Sequence, residues 1–213
     1  MNDEALMMSP SKNLLLIFTR NPELGKCKTR LAATVGDEAA LEIYKFLLEH
    51  TRSISQGLHT DKWICYSQEI WENDIWERSV YQKKLQWGEG LGERMSHAFK
   101  EGFEAGHQKI IIIGSDIYDL SEKNIQDAFL KLEEHDYVIG PAIDGGYYLL
   151  GMTHFTPSLF EDKPWGTDRV LELTLEDLKN KNYTLLPPKN DIDYFEDIKD
   201  NKIFHPFFTN KNI

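Results

Sequence analysis

The segment Pro22-Glu-Leu-Gly-Lys-Cys-Lys-Thr-Arg-Leu31 sets one glycine among three cations, directly after the apolar run Leu14-Leu-Leu-Ile-Phe18. Gly25 lets the backbone turn close to a ligand. Lys26, Lys28 and Arg30 bring positive charge to the start of the next helix, whose free N–H groups favour an anion. Such a turn suits the diphosphate or triphosphate of a nucleotide, with Pro22, Gly25, Lys26, Lys28, Thr29 and Arg30 as its candidate contacts. A solvated basic turn that merely starts a helix has the same composition, so the loop alone leaves both assignments open. It is not the G-x-x-x-x-G-K-[ST] loop of ATPases, because Arg20 stands at the first glycine position and Cys27 at the Ser/Thr position.

A bound phosphate calls for a divalent counter-ion, and carboxylates at strand ends are the groups to hold it. Asp116 follows Lys109-Ile-Ile-Ile-Ile-Gly114 and lies just past the carboxyl end of that strand, where open α/β sheets bind ligands. Asp191-Ile-Asp193 follows Leu185-Leu-Pro-Pro188 in the same way. Alternate residues of an extended segment point alike, so Asp191 and Asp193 can face one ion with Asp116. Mg²⁺ or Mn²⁺ is the expected cofactor, since a hard ion takes oxygen ligands and needs few carboxylates beside phosphate oxygens. The alternatives are helix caps: Asp116 before the next helix, where Ser121 is better placed, and Asp193 in an Asp-x-x-Glu box with Glu196. Crowded carboxylates also predict that neutralising Asp116 leaves the metal-free protein as stable as before, or more so.

Asp144-Gly-Gly146 lies between two apolar runs, where a hairpin turn needs glycine. Pro141, Tyr147 and Tyr148 crowd the same turn, and a loop stripped of side chains beside aromatics also admits a sugar or base ring. Asp144 therefore joins Asp116 as a candidate catalytic carboxylate, and Gly145, Gly146 and Tyr147 as candidate substrate contacts. Trp165-Gly-Thr167 precedes a helix expected over 168–179, with Thr167 as its cap or with Trp165 and Thr167 as a wall for substrate. Gly88-Glu-Gly-Leu-Gly-Glu-Arg-Met95 reads as a helix start whose Arg94 can reach a phosphate, although Glu89 and Glu93 dilute the field. The seven histidines show no paired metal spacing and no G-x-S-x-G occurs, so zinc and serine hydrolysis find no support.

These residues need a scaffold. Buried-strand runs at 14–19, 63–67, 109–114 and 137–140 alternate with helical periodicity over 38–54, 93–105 and 123–133, which predicts a mostly parallel sheet covered on both faces. The run 147–152 follows 136–141 after a turn too short for a crossover helix, so those strands should pair antiparallel and make the sheet mixed. Residues 68–84 carry no clear pattern. The aromatic tail 201–213 is expected to pack irregularly over the core or a partner subunit, and residues 1–13 to form a flexible extension before a single domain over 14–213.

With 213 residues and 41% hydrophobic content, the chain has ample material for one core. Its net charge of -11 opposes binding to nucleic acid, so the cations near residue 26 form a local device suited to a small phosphorylated ligand. No apolar run is long enough to span a membrane, and Cys27 and Cys65 are expected as free thiols; a cytoplasmic setting follows. Oligomeric state is not legible.

Taken in order, residues 22–31, Leu91-Gly-Glu-Arg-Met95, Gly114-Ser-Asp116, Gly140-Pro-Ala-Ile-Asp-Gly-Gly-Tyr147, Trp165-Gly-Thr167 and Asp191-Ile-Asp193 resemble a family of bacterial glycosyltransferase-like proteins. That family lies in the nucleotide-diphospho-sugar transferase (GT-A-like) superfamily and is often described as a domain of unknown function. The resemblance spans about residues 14–197 and implies a three-layer α/β/α sandwich. It also implies a nucleotide in the first loop and a metal on the Asp after the fourth strand. One departure is Tyr118, where the family usually has proline. The implied activity is glycosyl transfer from a nucleotide-activated donor to an acceptor that the sequence does not name. Nucleotidylyl transfer with loss of pyrophosphate is the alternative, since the Asp-Gly-Gly turn also resembles lactyl-phosphate guanylyltransferases; a non-catalytic nucleotide-binding subunit is a third.

Overall fold

The computed structural model describes residues 11–208. Its strands are β1 (Asn13–Thr19), β2 (Asp61–Tyr66), β3 (Gln82–Leu85), β4 (Lys109–Gly114), β5 (Tyr137–Pro141), β6 (Tyr147–Met152) and β7 (Tyr183–Leu185). Its helices are α1 (Thr29–Val35), α2 (Asp37–Ser55), α3 (Leu91–Glu104), α4 (Glu122–Lys131) and α5 (Val170–Asp177). Successive residues of a strand face opposite sides, so strands that are apolar throughout must be covered twice. Leu15 and Ile17 of β1 and Ile111 and Ile113 of β4 pack with Tyr44 and Leu48 of α2 and Ile125 and Phe129 of α4. Leu14, Leu16, Ile110 and Ile112 pack on the other side with Met95 and Phe99 of α3 and with Leu171 and Leu175 of α5. The result is the expected three-layer α/β/α sandwich.

The sheet runs β3-β2-β1-β4-β6-β5-β7. β6 pairs antiparallel with β5, as its short connection requires, and also with β4 (Ile112↔Leu150), so it is inserted between them. The other pairings are parallel. The carboxyl ends of β1, β2, β3, β4, β5 and β7 therefore open on one edge, together with the start of β6.

Several local expectations change. Asn13 is the first residue of β1 and the Ser11 N–H donates to Asp61 Oδ2 at 2.9 Å, so residues 11–13 are pinned to the sheet and do not form part of a free extension. Residues 1–10 lie outside the described residues. α5 starts at Val170 and is shorter than expected, because the Thr167 hydroxyl donates to Pro164 O at 2.8 Å and makes no cap on the helix. The tail covers its own core: buried Phe204 meets Phe46 of α2 and Tyr118 edge-on, with ring centroids 5.6 and 5.2 Å apart. Residues 209–213 of that tail are outside the described residues. Among the described residues no helix is long and apolar enough to cross a membrane, and both cysteines are free and buried.

The unassigned stretch holds β3 and a loop organised by one cation. Lys83 Nζ donates to Trp71 O (2.6 Å), Glu72 O (3.1 Å) and Asp74 Oδ1 (2.7 Å), with its side chain only 1% exposed. Asp74 also accepts from the Tyr66 hydroxyl. Removing one partner of a buried pair strands the other charge. Asp74→Ala should therefore lower the unfolding free energy by about 3 kcal/mol in chemical denaturation; a loss under about 1 kcal/mol would show that the two carbonyls alone satisfy Lys83.

Candidate functional site at the sheet edge

The loop after β1 delivers its cations to the start of α1, where Lys28 is the N-cap residue and Arg30 lies in the first turn. Gly25 turns with φ +72° and Lys28 adopts a left-handed conformation with φ 50° and ψ 43°, an arrangement that costs a non-glycine residue about 1–3 kcal/mol. That conformation sends the Lys28 ammonium, 7% exposed, onto Asp116 Oδ2 at 2.8 Å. α1 has only seven residues, so its N–H groups make a weak anion site and the side chains must carry the charge. Burial acts to lower the Lys28 pKa, but Asp116, with smaller contributions from Asp193 and Asp191, overcomes it and leaves the ammonium firmly protonated.

Asp191 reaches Asp116 because the strand after β7 is laced across the sheet edge. Lys189 N–H donates to Pro141 O (3.0 Å), Ile143 N–H to Lys189 O (3.0 Å) and Ile192 N–H to Asp116 O (3.2 Å). Ile192 is buried beside Leu31 and Ile198, which holds the segment in place. Asp116, Asp144 and Asp191 consequently line one cavity. Burial, and then the charges of Asp116 and Asp144, push the Asp191 carboxyl up to about 6 despite the opposing pull of Lys28.

Asp193 lines the same cavity but is engaged elsewhere. Its carboxylate pairs with Arg30 Nη1 at 2.6 Å. The capping alternative also fails, since Asp197 Oδ2 accepts from the N–H groups of Asp193 and Tyr194, the reverse of the expected box. Ser121 caps α4. Among the described residues no three His, Cys, Asp or Glu side chains form a metal-holding group by themselves, so the trio Asp116, Asp191 and Asp193 is not a preformed cage. The donor set still suits a hard dication: two or three crowded carboxylates oppose one ammonium, and phosphate oxygens could complete the shell.

Two contiguous cavities meet at these carboxylates. The larger, about 870 Å³, is lined by Arg20, Lys26, Lys28, Thr29, Arg30 and Arg94. Lys26 also pairs with Glu23 (3.0 Å) and the Arg94 Nε donates to Gly88 O (2.9 Å). The smaller, about 230 Å³, is lined by Met95, Gly146, Tyr147, Trp165 and Thr167. Asp144, Asp116 and Asp191 border both. Gly92 allows Trp165 to lie over the start of α3, where a Cβ would come within 2.2 Å of the indole Nε1. Pro22, Gly25 and Gly145 are not among the lining residues of either cavity; Pro22 faces a separate 270 Å³ cavity beside Trp71. Gly145 is there for the backbone: at φ +88° a Cβ would meet Asp168 O at 2.2 Å.

Sequence reasoning missed Tyr44, Arg20 and Gln86. The Tyr44 hydroxyl, buried on α2, bonds Arg20 N (2.9 Å), Thr19 Oγ1 (3.2 Å) and Ser115 Oγ (3.2 Å), joining the ends of β1 and β4 beneath the larger cavity. A tyrosine on an otherwise apolar helix face was the available signal, because a buried phenol needs a partner. Tyr118, the departure from the family pattern, points away from the cavity and packs on Phe46, His50 and Phe204, so Asp116 keeps its position.

Residues 51–167, more than half of the chain, match the family described as "Uncharacterized protein conserved in bacteria (DUF2064)". The chain belongs to this family. A solved structure from Desulfovibrio desulfuricans G20, provisionally described as a nucleotide-diphospho-sugar transferase, is 33% identical with a TM-score of 0.83, covering 95% of this chain and 89% of that one. More distant likenesses show the fold alone. They include 4-diphosphocytidyl-2C-methyl-D-erythritol synthase from Anaerococcus prevotii DSM 20548 (8% identity, TM-score 0.58, 92% of this chain and 96% of that one). CMP:2-keto-3-deoxy-manno-octonic acid synthetase complexed with CTP is another (8% identity, TM-score 0.55, 94% and 100%). No curated protein matches the sequence. The DUF2064 chain thus has the nucleotide-diphospho-sugar transferase (GT-A-like) fold expected of it.

The geometry separates two carboxylates that the sequence treats alike. Asp116 compensates buried Lys28, so Asp116→Asn should lower metal-free stability by roughly 1–3 kcal/mol, contrary to the expectation from crowding alone. Asp191 behaves oppositely. With its folded pKa near 6 and its ordinary value at 3.8, it binds a proton more readily when folded. Its destabilising effect is absent below the lower value, grows between the two and is complete above about 6. Asp191→Asn should therefore raise the melting temperature in chelator at neutral pH, with the gain vanishing near pH 3.8. Thermal melts of both variants across pH check this; parallel shifts in one direction would refute it.

Proposed function

We propose that this protein is a transferase that binds a nucleoside diphosphate sugar with Mg²⁺ or Mn²⁺ and moves the glycosyl group to a small acceptor. The observation that carries this reading is the meeting of a cation-lined cavity with an aromatic-walled one at Asp116, Asp144 and Asp191. The provisional description of the 33% identical relative points the same way.

Asp116 and Asp191 would hold the ion through carboxylate oxygens, and its chemistry there would be to stabilise charge on the departing diphosphate. The chain's own part is electrostatic and positional. Lys28, held by Asp116, sits where it can bond a phosphate oxygen without losing its anchor. Arg20, Arg30 and Arg94 spread positive charge along the larger cavity, and Tyr44 fixes the backbone that carries Arg20. As the bond from the sugar carbon to the diphosphate oxygen breaks, the acceptor oxygen bonds that carbon and gives up its proton. Asp144 would take it: Oδ1 accepts from Gly146 N–H (2.9 Å), which supports Oδ2 as the atom for the proton. Charge-assisted contacts to developing charge are the main source of rate in such a site.

One observation favours the second reading, nucleotidylyl transfer. Five cations line the larger cavity, a density that suits a triphosphate. Incubation with Mn²⁺ separates the two. Release of nucleoside diphosphate from a nucleotide sugar supports glycosyl transfer, pyrophosphate release from a nucleoside triphosphate supports the alternative, and binding without either product leaves a non-catalytic subunit. Arg30→Ala, at an exposed position, should weaken nucleotide binding by about 1.5–3 kcal/mol without loss of fold; unchanged affinity would remove Arg30 from the phosphate site.

A further inference from the structure

The two cavities differ in charge in a way that neither the fold nor the family description explains. The larger is lined by five cations that balance its carboxylates (Glu89, Asp116, Asp144, Asp191 and Asp193), whereas the smaller is lined by Asp116, Asp144 and Asp191 and, among the described residues, by no lysine, arginine or histidine. The rest of its wall is apolar or aromatic, chiefly Phe18, Met95, Ile117, Tyr147 and Trp165. Tyr147 spends its hydroxyl on Met95 Sδ at 3.8 Å, and burial holds its phenol protonated. Its ring meets Trp165 edge-on, with centroids 6.3 Å apart.

We infer that the smaller cavity selects an uncharged second substrate, a hydroxyl compound with an apolar ring face, and rejects phosphorylated or carboxylated ones. The inference rests on the transferase reading and names the acceptor class of that site. An anionic group placed there would meet three carboxylates across a low-dielectric wall, and a dication held by Asp116 and Asp191 would offset only part of that charge, leaving Asp144 to repel it. A neutral ring finds the opposite: Trp165 and Tyr147 offer area for stacking, and the carboxylates accept its hydroxyl groups. A phosphorylated acceptor, which nucleotidylyl transfer to a phosphate requires, is the substrate least suited to this wall.

A matched pair of probes tests the charge selection directly. Phenyl β-D-glucoside and phenyl β-D-glucuronide share one body and differ by a carboxylate. Saturation-transfer NMR on the whole protein at neutral pH should show the glucoside bound and the glucuronide at least about tenfold weaker. Trp165→Ala should abolish the glucoside signal while UDP and GDP binding with Mn²⁺ is retained. Leu91→Lys, a change at a rim residue that is 47% exposed, should narrow the gap between the two probes. A glucuronide bound as tightly as the glucoside would overturn the inference, as would binding of nucleoside diphosphate with neither glycoside. Glycoside selectivity without binding of any nucleoside diphosphate would uphold the charge selection and overturn the transferase reading.

Discussion

A lysine ammonium withdrawn from water needs an anion beside it, and in this fold the need of Lys28 organises the whole sheet edge. Its partner, Asp116, lies two residues past the central strand β4, so the pair ties the first loop to the middle of the sheet. Both costs of that tie are visible: a left-handed lysine backbone and a largely buried charge. They are tolerable because Asp191 and Asp193 add negative potential around the same ammonium. Burial first, and then the charges of Asp116 and Asp144, raise the Asp191 pKa, so one cation serves more carboxylate than it can neutralise. That imbalance is the basis for the proposed binding of a dication and a diphosphate together.

Parallel topology then does the rest. Because nearly every strand ends at this edge, several connections can contribute to one place. The loop after β1 supplies cations, the turn after β4 and the segment after β7 supply carboxylates, and the β5–β6 turn with the loop before α5 supplies Asp144 and the aromatic wall. Tyr44 gives the arrangement rigidity from below, since its single hydroxyl links β1 to β4. In the proposed function the working groups sit on connections supported by the sheet, in keeping with where loops place binding groups generally.

How far the sequence reveals this depends on range. The apolar runs of β1 and β4 announce buried strands because both faces are covered, and Asp116 is readable from its place after such a run. The antiparallel β5–β6 pair follows from a connection too short for a helix. What cannot be read locally is pairing across long separations. Lys28 and Arg30 look like interchangeable phosphate ligands, yet one is committed to Asp116 and the other to Asp193. Asp191 and Asp193 look like a matched pair, and the contact with Arg30 separates them. The insertion of β6 between β4 and β5 has no local signal at all, and neither does the role of Tyr44 beyond its awkward polarity on a buried helix face.

In the proposed function Asp116 and Asp191 form half of a metal site that a diphosphate completes. Binding of Mn²⁺ measured by calorimetry with and without a nucleoside diphosphate tests it most directly, because coupling between two ligands is reciprocal. The account predicts weak Mn²⁺ binding alone, much tighter binding when the diphosphate is present, and loss of that coupling in Asp191→Asn. Nucleotide affinity that is indifferent to Mn²⁺, or coupling that survives in Asp191→Asn, would contradict it.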